Sequence, residues 1–205
     1  MKVLILSGSN HGFDKSAPLI GDFLGAADDL DISLADSKDA LTSSLDRFDV
    51  CVFGTGFTHA VRDGDGPVRW EAELSPAQED ALIGFVADGK GVVGVHGTAW
   101  NVGERAVSLL GGHANWHPPG STFTVNIAAG DHPITDGVED FEVEDEIYMS
   151  AWFPQIEILA TAEWADKQHP LAWTKPHGAG RVFYTALGHG PDTFNRPNMQ
   201  KLMLQ

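Results

Sequence analysis

Short apolar segments alternate with capped helical segments through the first half of this sequence, and that alternation predicts an α/β fold built on a parallel sheet. Two further observations support it. Gly94-Val95-His96-Gly97 closes a small-residue, β-branched run in a glycine-flanked turn, the kind of elbow that pushes one side chain into the crevice at the carboxyl end of a parallel sheet. The chain of 205 residues, 42% apolar, is long enough for one substantial core and shows no linker, repeat or low-complexity tract, so a single domain over 1–205 is expected.

Lys2 to Ser7 reads as a buried strand, followed by the polar loop Gly8-Ser9-Asn10-His11-Gly12 and a helix from about Lys15 to Gly25. A second strand near Ile32 to Ala35, a short helix around Ala40 to Leu45 and a third strand at Val50 to Gly54 continue the alternation. Residues Thr55 to Leu74 are expected to form a long functional loop, because Gly and charge interrupt every periodicity there. The next helix is punctuated by Ser75 as N-cap, Pro76 in the first turn, Gln78 closing a capping box and Gly89 beyond the end. Beyond the elbow a helix is expected from Trp100 to Leu110, stopped by Gly111-Gly112. Strands are then expected at Thr122 to Ile127, Phe141 to Tyr148, Ile156 to Ala162, His169 to Thr174 and Arg181 to Ala186, with a final helix from Asn198.

Thirteen basic against twenty-nine acidic residues give a net charge of -16, which repels phosphate backbones and anionic lipid, so neither nucleic acid nor a membrane is an expected partner. A single cysteine, Cys51, lies within a strand-like run, excludes an internal disulfide and fits a reducing, cytoplasmic setting. The apolar run Val3 to Leu6 is too short to cross a membrane.

Chemistry concentrates in the nine histidines. His11 follows the first strand, His59 the third, His96 the central one and His189 the last, and in a parallel sheet such carboxyl ends converge on one edge. His113 and His117 have i, i+4 spacing, but Gly111-Gly112 before them and Pro118 after them argue for a loop. Asp145-Glu146-Ile147-Tyr148 reads as a strand end with Glu146 and Tyr148 on one face, able to orient a histidine, and Asp145 turned to the other face, towards solvent. His132 before Pro133 reads as a turn. No serine elbow, Walker loop or dinucleotide fingerprint is present, so no nucleotide cofactor is expected; among six tryptophans, one or two near the loops could stack on a sugar ring.

Taken in order, Gly94-Val95-His96-Gly97, Leu110-Gly111-Gly112-His113 with His117-Pro118, His132-Pro133-Ile134-Thr135, Asp145-Glu146-Ile147-Tyr148 and Gly180-Arg181-Val182-Phe183-Tyr184 leading to Leu187-Gly188-His189 resemble the ThuA-like (trehalose utilisation) family of the class I glutamine amidotransferase-like superfamily. The resemblance implies a flavodoxin-like three-layer α/β/α sandwich with a mostly parallel central sheet. True amidotransferases carry a nucleophilic cysteine at the elbow. His96 stands there in this chain, and an imidazole cannot reproduce thiolate acyl chemistry, so glutamine hydrolysis is expected to be lost.

The resemblance also implies catabolism of trehalose, related disaccharides or their keto-sugar derivatives. The leading expectation is an enzyme, a lyase, isomerase or hydrolase, in which His96 and His189 serve as acid/base groups or as ligands to a divalent metal such as zinc, supported by Glu146. Substrate contacts are expected from His11, His59, His113, His117, Tyr148 and Trp100. The alternatives are a non-catalytic sugar-binding or regulatory module and, ranked lowest, a hydrolase with Ser9 or Thr98 as nucleophile. The expected partners are a small-molecule sugar and, at most, further copies of the chain in a homo-oligomer.

Overall fold

The protein is described by a computed structural model covering residues 1–8, 10–54, 56–100 and 103–205, with Asn10 described by its backbone alone. In chain order the elements are β1 (Lys2–Leu6), α1 (Phe13–Gly25), β2 (Asp31–Ala35), α2 (Ala40–Ser43), β3 (Val50–Phe53), β4 (Thr58–Val61), β5 (Arg69–Ala72), α3 (Pro76–Ala87), β6 (Gly91–Val95), α4 (Glu104–Leu110), β7 (Gly112–Trp116), β8 (Ser121–Ile127), β9 (Phe141–Asp145), β10 (Met149–Trp152), β11 (Glu157–Trp164), β12 (Lys167–His177), β13 (Gly180–Thr185) and α5 (Pro197–Leu204).

Nine strands form one sheet in the order β2-β1-β3-β6-β13-β12-β11-β8-β9. The first five are parallel neighbours, which is the doubly wound half expected from the alternation. From β13 outward every pairing is antiparallel, so the second half of the sheet is a meander built on the parallel core. Val3, Leu4, Ile5 and Leu6 of β1 are all buried, as a strand covered on both faces requires. Right-handed crossovers put α1 on one face and α2 and α3 on the other. Accordingly α1 packs with α5, and α2 with α3. No helix among the described residues is long and apolar enough to cross a membrane.

Four sequence expectations change. The stretch 55–74 holds a hairpin, β4 paired antiparallel with β5, because Trp70-Glu71-Ala72 can pair with Thr58-His59-Ala60 although charge hides the alternation. The helix expected from Trp100 begins at Glu104; Trp100 itself is extended, and 101–102 lie outside the described residues. His113 lies on a strand, β7, paired with β10, and not in a loop. The strand expected to reach Tyr148 ends at Asp145, whose side chain is buried and not turned to solvent, for the reason given below.

Candidate active site

Three strand ends deliver the site. His11 follows β1, His96 follows β6 and His189 follows β13, and their rings stand together: centroids are 4.9 Å apart for His11 and His96, 5.4 Å for His96 and His189, and 5.8 Å for His11 and His189. Both His11 (φ 50°) and His96 (φ 44°) adopt left-handed backbone, a conformation that costs a non-glycine residue about 1–3 kcal/mol and persists where the surroundings enforce it. Gly97 makes room for this arrangement. A Cβ on Gly97 would stand 2.6 Å from His11 Nδ1, so the absence of a side chain lets the first imidazole lie against the elbow that carries the second.

His96 is buried, and both its ring nitrogens are engaged. Nδ1 lies 2.6 Å from the Ala186 carbonyl, which only accepts, so Nδ1 carries the hydrogen. In the neutral ring Nε2 is then bare and accepts the Tyr148 hydroxyl at 2.6 Å. Burial holds the Tyr148 phenol well above its ordinary range, which keeps that donor protonated. The Tyr184 hydroxyl donates to the His96 carbonyl at 2.9 Å and fixes the elbow from the neighbouring strand.

Glu146 sits at the centre. Its Oε2 lies 3.3 Å from His189 Nδ1 and 3.5 Å from His96 Nε2, and its Oε1 lies 3.5 Å from His117 Nδ1. Burial pushes this carboxyl up, yet the positive fields that His96, His189 and His117 exert when protonated outweigh it and leave the pKa below the ordinary carboxylate value. His11 shifts the other way, down to about 4, first through burial and then through the fields of His96 and His189, so it is a neutral base at neutral pH. The ring of His189 is about half exposed at the mouth, where it lines a polar cavity of about 600 Å³ together with Glu146.

Asp145 organises this end of the site, and sequence reasoning misplaced it. Its carboxylate accepts from the backbone N–H groups of Glu146 (2.8 Å), Gly188 (2.8 Å) and His189 (3.3 Å) and from the Thr193 hydroxyl (2.6 Å), which ties the end of β9 to the loop that carries His189. Four donors aimed at one carboxylate explain why it is buried. The signal was the Asp-Glu pair itself: one carboxylate builds the loop and the other faces the histidines.

The remaining candidates divide. Tyr148 is buried and is the hydroxyl partner of His96. His117 joins the cluster through Glu146 and through ring contacts at 5.7 Å to Tyr148 and 5.5 Å to Trp100. Trp100 also lies 5.5 Å from Tyr148. His59, on β4, lines a second cavity of about 520 Å³ that it shares with His11 and Trp100. His113 is half-buried on β7 opposite Ala151. Thr98 is fully buried and donates to the Val95 carbonyl at 3.2 Å, which removes it as a nucleophile; Ser9 lies outside the described residues. His132 caps its turn by accepting the Ile134 N–H at 3.1 Å, the structural role expected of it. Cys51 is buried, and burial pushes its thiol up to about 12, so no thiolate replaces the one missing from the elbow.

The donor set can also be tested against a metal. His11, His96 and His189 each bring a ring nitrogen within 4.8 Å of the others. Glu146 Oε2 and His11 Nδ1 are buried without a hydrogen-bond partner. Neutral imidazoles beside one orphaned carboxylate oxygen fit a borderline divalent cation such as zinc. His96 is the weakest member of the set, because Tyr148 already occupies its Nε2.

Residues 2–205 match the family model described as trehalose utilisation, ThuA. The chain belongs to the ThuA family. Solved structures of ThuA-like proteins superpose on it: one from Parabacteroides merdae with a TM-score of 0.77 at 18% identity, covering 99% of this chain and 86% of that one. Another, from Bacteroides uniformis, gives a TM-score of 0.75 at 18% identity, covering 100% and 88%. A β-galactosidase from Bacillus circulans contains a similar unit, with a TM-score of 0.68 at 13% identity, covering 98% of this chain and 30% of that enzyme. At these identities the likeness establishes the fold, in keeping with the sandwich expected for a ThuA-like chain. No curated protein matches the sequence.

Proposed function

We propose that this ThuA-family chain is an enzyme of carbohydrate catabolism that moves protons on a disaccharide or keto-sugar, without amidotransferase activity. The observation that carries the proposal is Glu146, an ionised carboxylate within 3.5 Å of ring nitrogens from His96, His117 and His189. A carboxylate so placed stabilises an imidazolium as it forms, so each neighbouring ring becomes a better proton acceptor without being charged beforehand. His189 is the ring best placed to meet substrate: Nδ1 faces Glu146, and the half-exposed ring leaves Nε2 free to take a proton from a carbon beside a sugar carbonyl. The electron pair released moves onto the carbonyl oxygen as an enolate. Where the deprotonated carbon bears a hydroxyl, that O–H proton passes to the former carbonyl oxygen and the abstracted proton returns to the former carbonyl carbon, giving isomerisation; where the next carbon bears an alkoxy group, the enolate pair re-forms the carbonyl as that C–O bond breaks and the proton goes to the departing oxygen, giving elimination. His11, neutral and on the far side of the group, supports the same exchange. His96 and Tyr148 form the buried floor that fixes these rings.

One observation favours a metal-assisted form of this reading, namely the three imidazoles within 4.8 Å with an orphaned carboxylate oxygen beside them. His11, His96 and His189 would hold a divalent cation such as zinc, and Glu146 would balance its charge. A bound cation would supply Lewis-acid polarisation of a sugar carbonyl. The single buried thiol supports a reducing, cytoplasmic location.

Proton NMR of a keto-disaccharide panel in deuterated buffer tests the reaction: wild type is expected to exchange the proton beside the carbonyl, and Glu146→Gln to slow exchange about 100-fold or more. Unchanged exchange in Glu146→Gln refutes the acid/base role. Elemental analysis of the purified protein, with and without chelator, decides between the two forms.

A further inference from the structure

The hairpin β4–β5 stands beside the imidazoles, and no step above uses it. It helps to enclose the cavity of about 520 Å³ that His11 also lines. Two indoles meet there: Trp70, on β5 and 43% exposed, lies 6.1 Å from Trp100 with the ring planes at 48°. The Thr58 hydroxyl donates to the Trp100 carbonyl at 3.4 Å and binds this platform to the hairpin. The rest of the lining is polar and held in place. Lys38 Nζ pairs with the Glu73 carboxylate at 2.9 Å and also donates to the Glu73 carbonyl at 3.3 Å, and Glu73 is only 8% exposed at its side chain. His59 Nδ1 is buried in the same wall with no hydrogen-bond partner.

A ligand that suits this lining presents a flat apolar face to the indoles and groups at its edge that both donate and accept. A sugar hydroxyl accepts from Lys38 while it donates to Glu73, so adjacent hydroxyls of one ring can bridge the pair with no charge of their own. An anionic ligand meets Glu73 and a chain of net charge -16. We infer that this cavity is a subsite for one pyranose ring of an uncharged glycoside, with Trp70 and Trp100 as its stacking platform. The inference rests on the carbohydrate reading above and makes it specific. His11 lines this cavity, while His189 and Glu146 line the polar cavity of about 600 Å³ that also contains Asp192, Asn195 and Arg196. The imidazole group therefore lies between two cavities, and a two-ring sugar that fills both places its linkage at the imidazoles.

Isothermal titration calorimetry with trehalose, maltose, glucose and adenosine tests this on wild type and on Trp70→Ala, Trp70→Phe and Arg196→Ala. Trp70→Ala is expected to weaken binding of glucose and of both disaccharides about tenfold, and Trp70→Phe, which keeps an aromatic face, to stay within about threefold of wild type. Arg196→Ala is expected to weaken the disaccharides and leave glucose unchanged. If wild type binds a sugar and Trp70→Ala binds it equally well, the subsite is refuted while the carbohydrate reading stands. Adenosine binding as tightly as trehalose and losing affinity with Trp70 overturns the assignment to sugars. Binding of none of the sugars by wild type overturns the subsite, while proton exchange on the keto-disaccharide panel decides the carbohydrate reading separately.

Discussion

At the scale of single residues, the site depends on how closely two strained histidines approach one backbone atom. Gly97→Ala would place a methyl 2.6 Å from His11 Nδ1 and 3.0 Å from His11 Cε1, so the imidazole must move while the buried elbow stays where Ala186 and Tyr184 hold His96. A misplacement of about 1 Å in a reacting group costs roughly 100-fold in rate. Gly97→Ala is therefore expected to lower kcat in the proton exchange proposed above about 100-fold and to leave the melting temperature within about 4 °C of wild type. Steady-state kinetics beside a thermal melt checks both numbers, and an unchanged kcat would detach His11 from the reaction. Cys51 gives a second prediction, of stability against pH. Burial raises its thiol from 9.0 to about 12, so between those values the unfolded chain releases a proton that the folded chain retains. The folded state then binds more protons than the unfolded one, and stability falls as pH rises, by up to about 1.4 kcal/mol per pH unit. The contribution is complete below about 9. Denaturant titrations at pH 8, 9 and 10 on wild type and Cys51→Ala check it, the variant being expected to lose less stability over that interval.

Among the elements, legibility followed the range of the interactions. Helix α3 could be read residue by residue because its determinants are local: the Ser75 hydroxyl accepts the Gln78 N–H at 3.3 Å, and the Gln78 side chain accepts the Ser75 N–H at 2.9 Å. Removing half of that box in Ser75→Ala should cost about 1 kcal/mol, or a fall of about 2–4 °C in a melt, and a shift below 1 °C would mean the helix is held by packing alone. The strands β1, β3 and β6 were equally legible, since covering both faces leaves continuous apolar runs. The short strands β4, β5, β7 and β10 were not. Each has four or five residues and draws its stability from a partner elsewhere in the chain, and β7 is broken up by the polar His113 and Asn115 and flanked by glycine and proline. The same contrast holds within the site. Convergence of His11, His96 and His189 followed from parallel topology, whereas the burial of Asp145 depends on donors 43 to 48 residues away, which no local pattern records.

For the whole molecule the governing quantity is charge. The sequence carries twenty-nine acidic and thirteen basic residues, and apart from groups such as Asp145 and Glu146 in the site the acidic excess lies at the surface and repels itself there. Part of that charge has a local use: Glu142 and Glu144 face outward on β9, and Asp31 on β2, which are the two edges of the nine-stranded sheet, where exposed charge discourages pairing with another sheet. The opposing local attractions are few and mostly exposed, as in Arg69 with Asp63 and Glu71, and exposed pairs contribute little. Self-repulsion acts over longer distances than contact pairs, so salt screens it more completely: the screening length is about 30 Å at 0.01 M and about 3 Å at 1 M. Raising sodium chloride from about 0.01 M to about 1 M is therefore expected to raise the melting temperature by several degrees. The rise should be steepest at low salt, where the screening length passes through the dimensions of the protein. A melting temperature that falls over the first 0.1 M would mean that short-range ion pairs outweigh the net charge, and the acidic excess would then need an explanation other than a surface suited to screening ions.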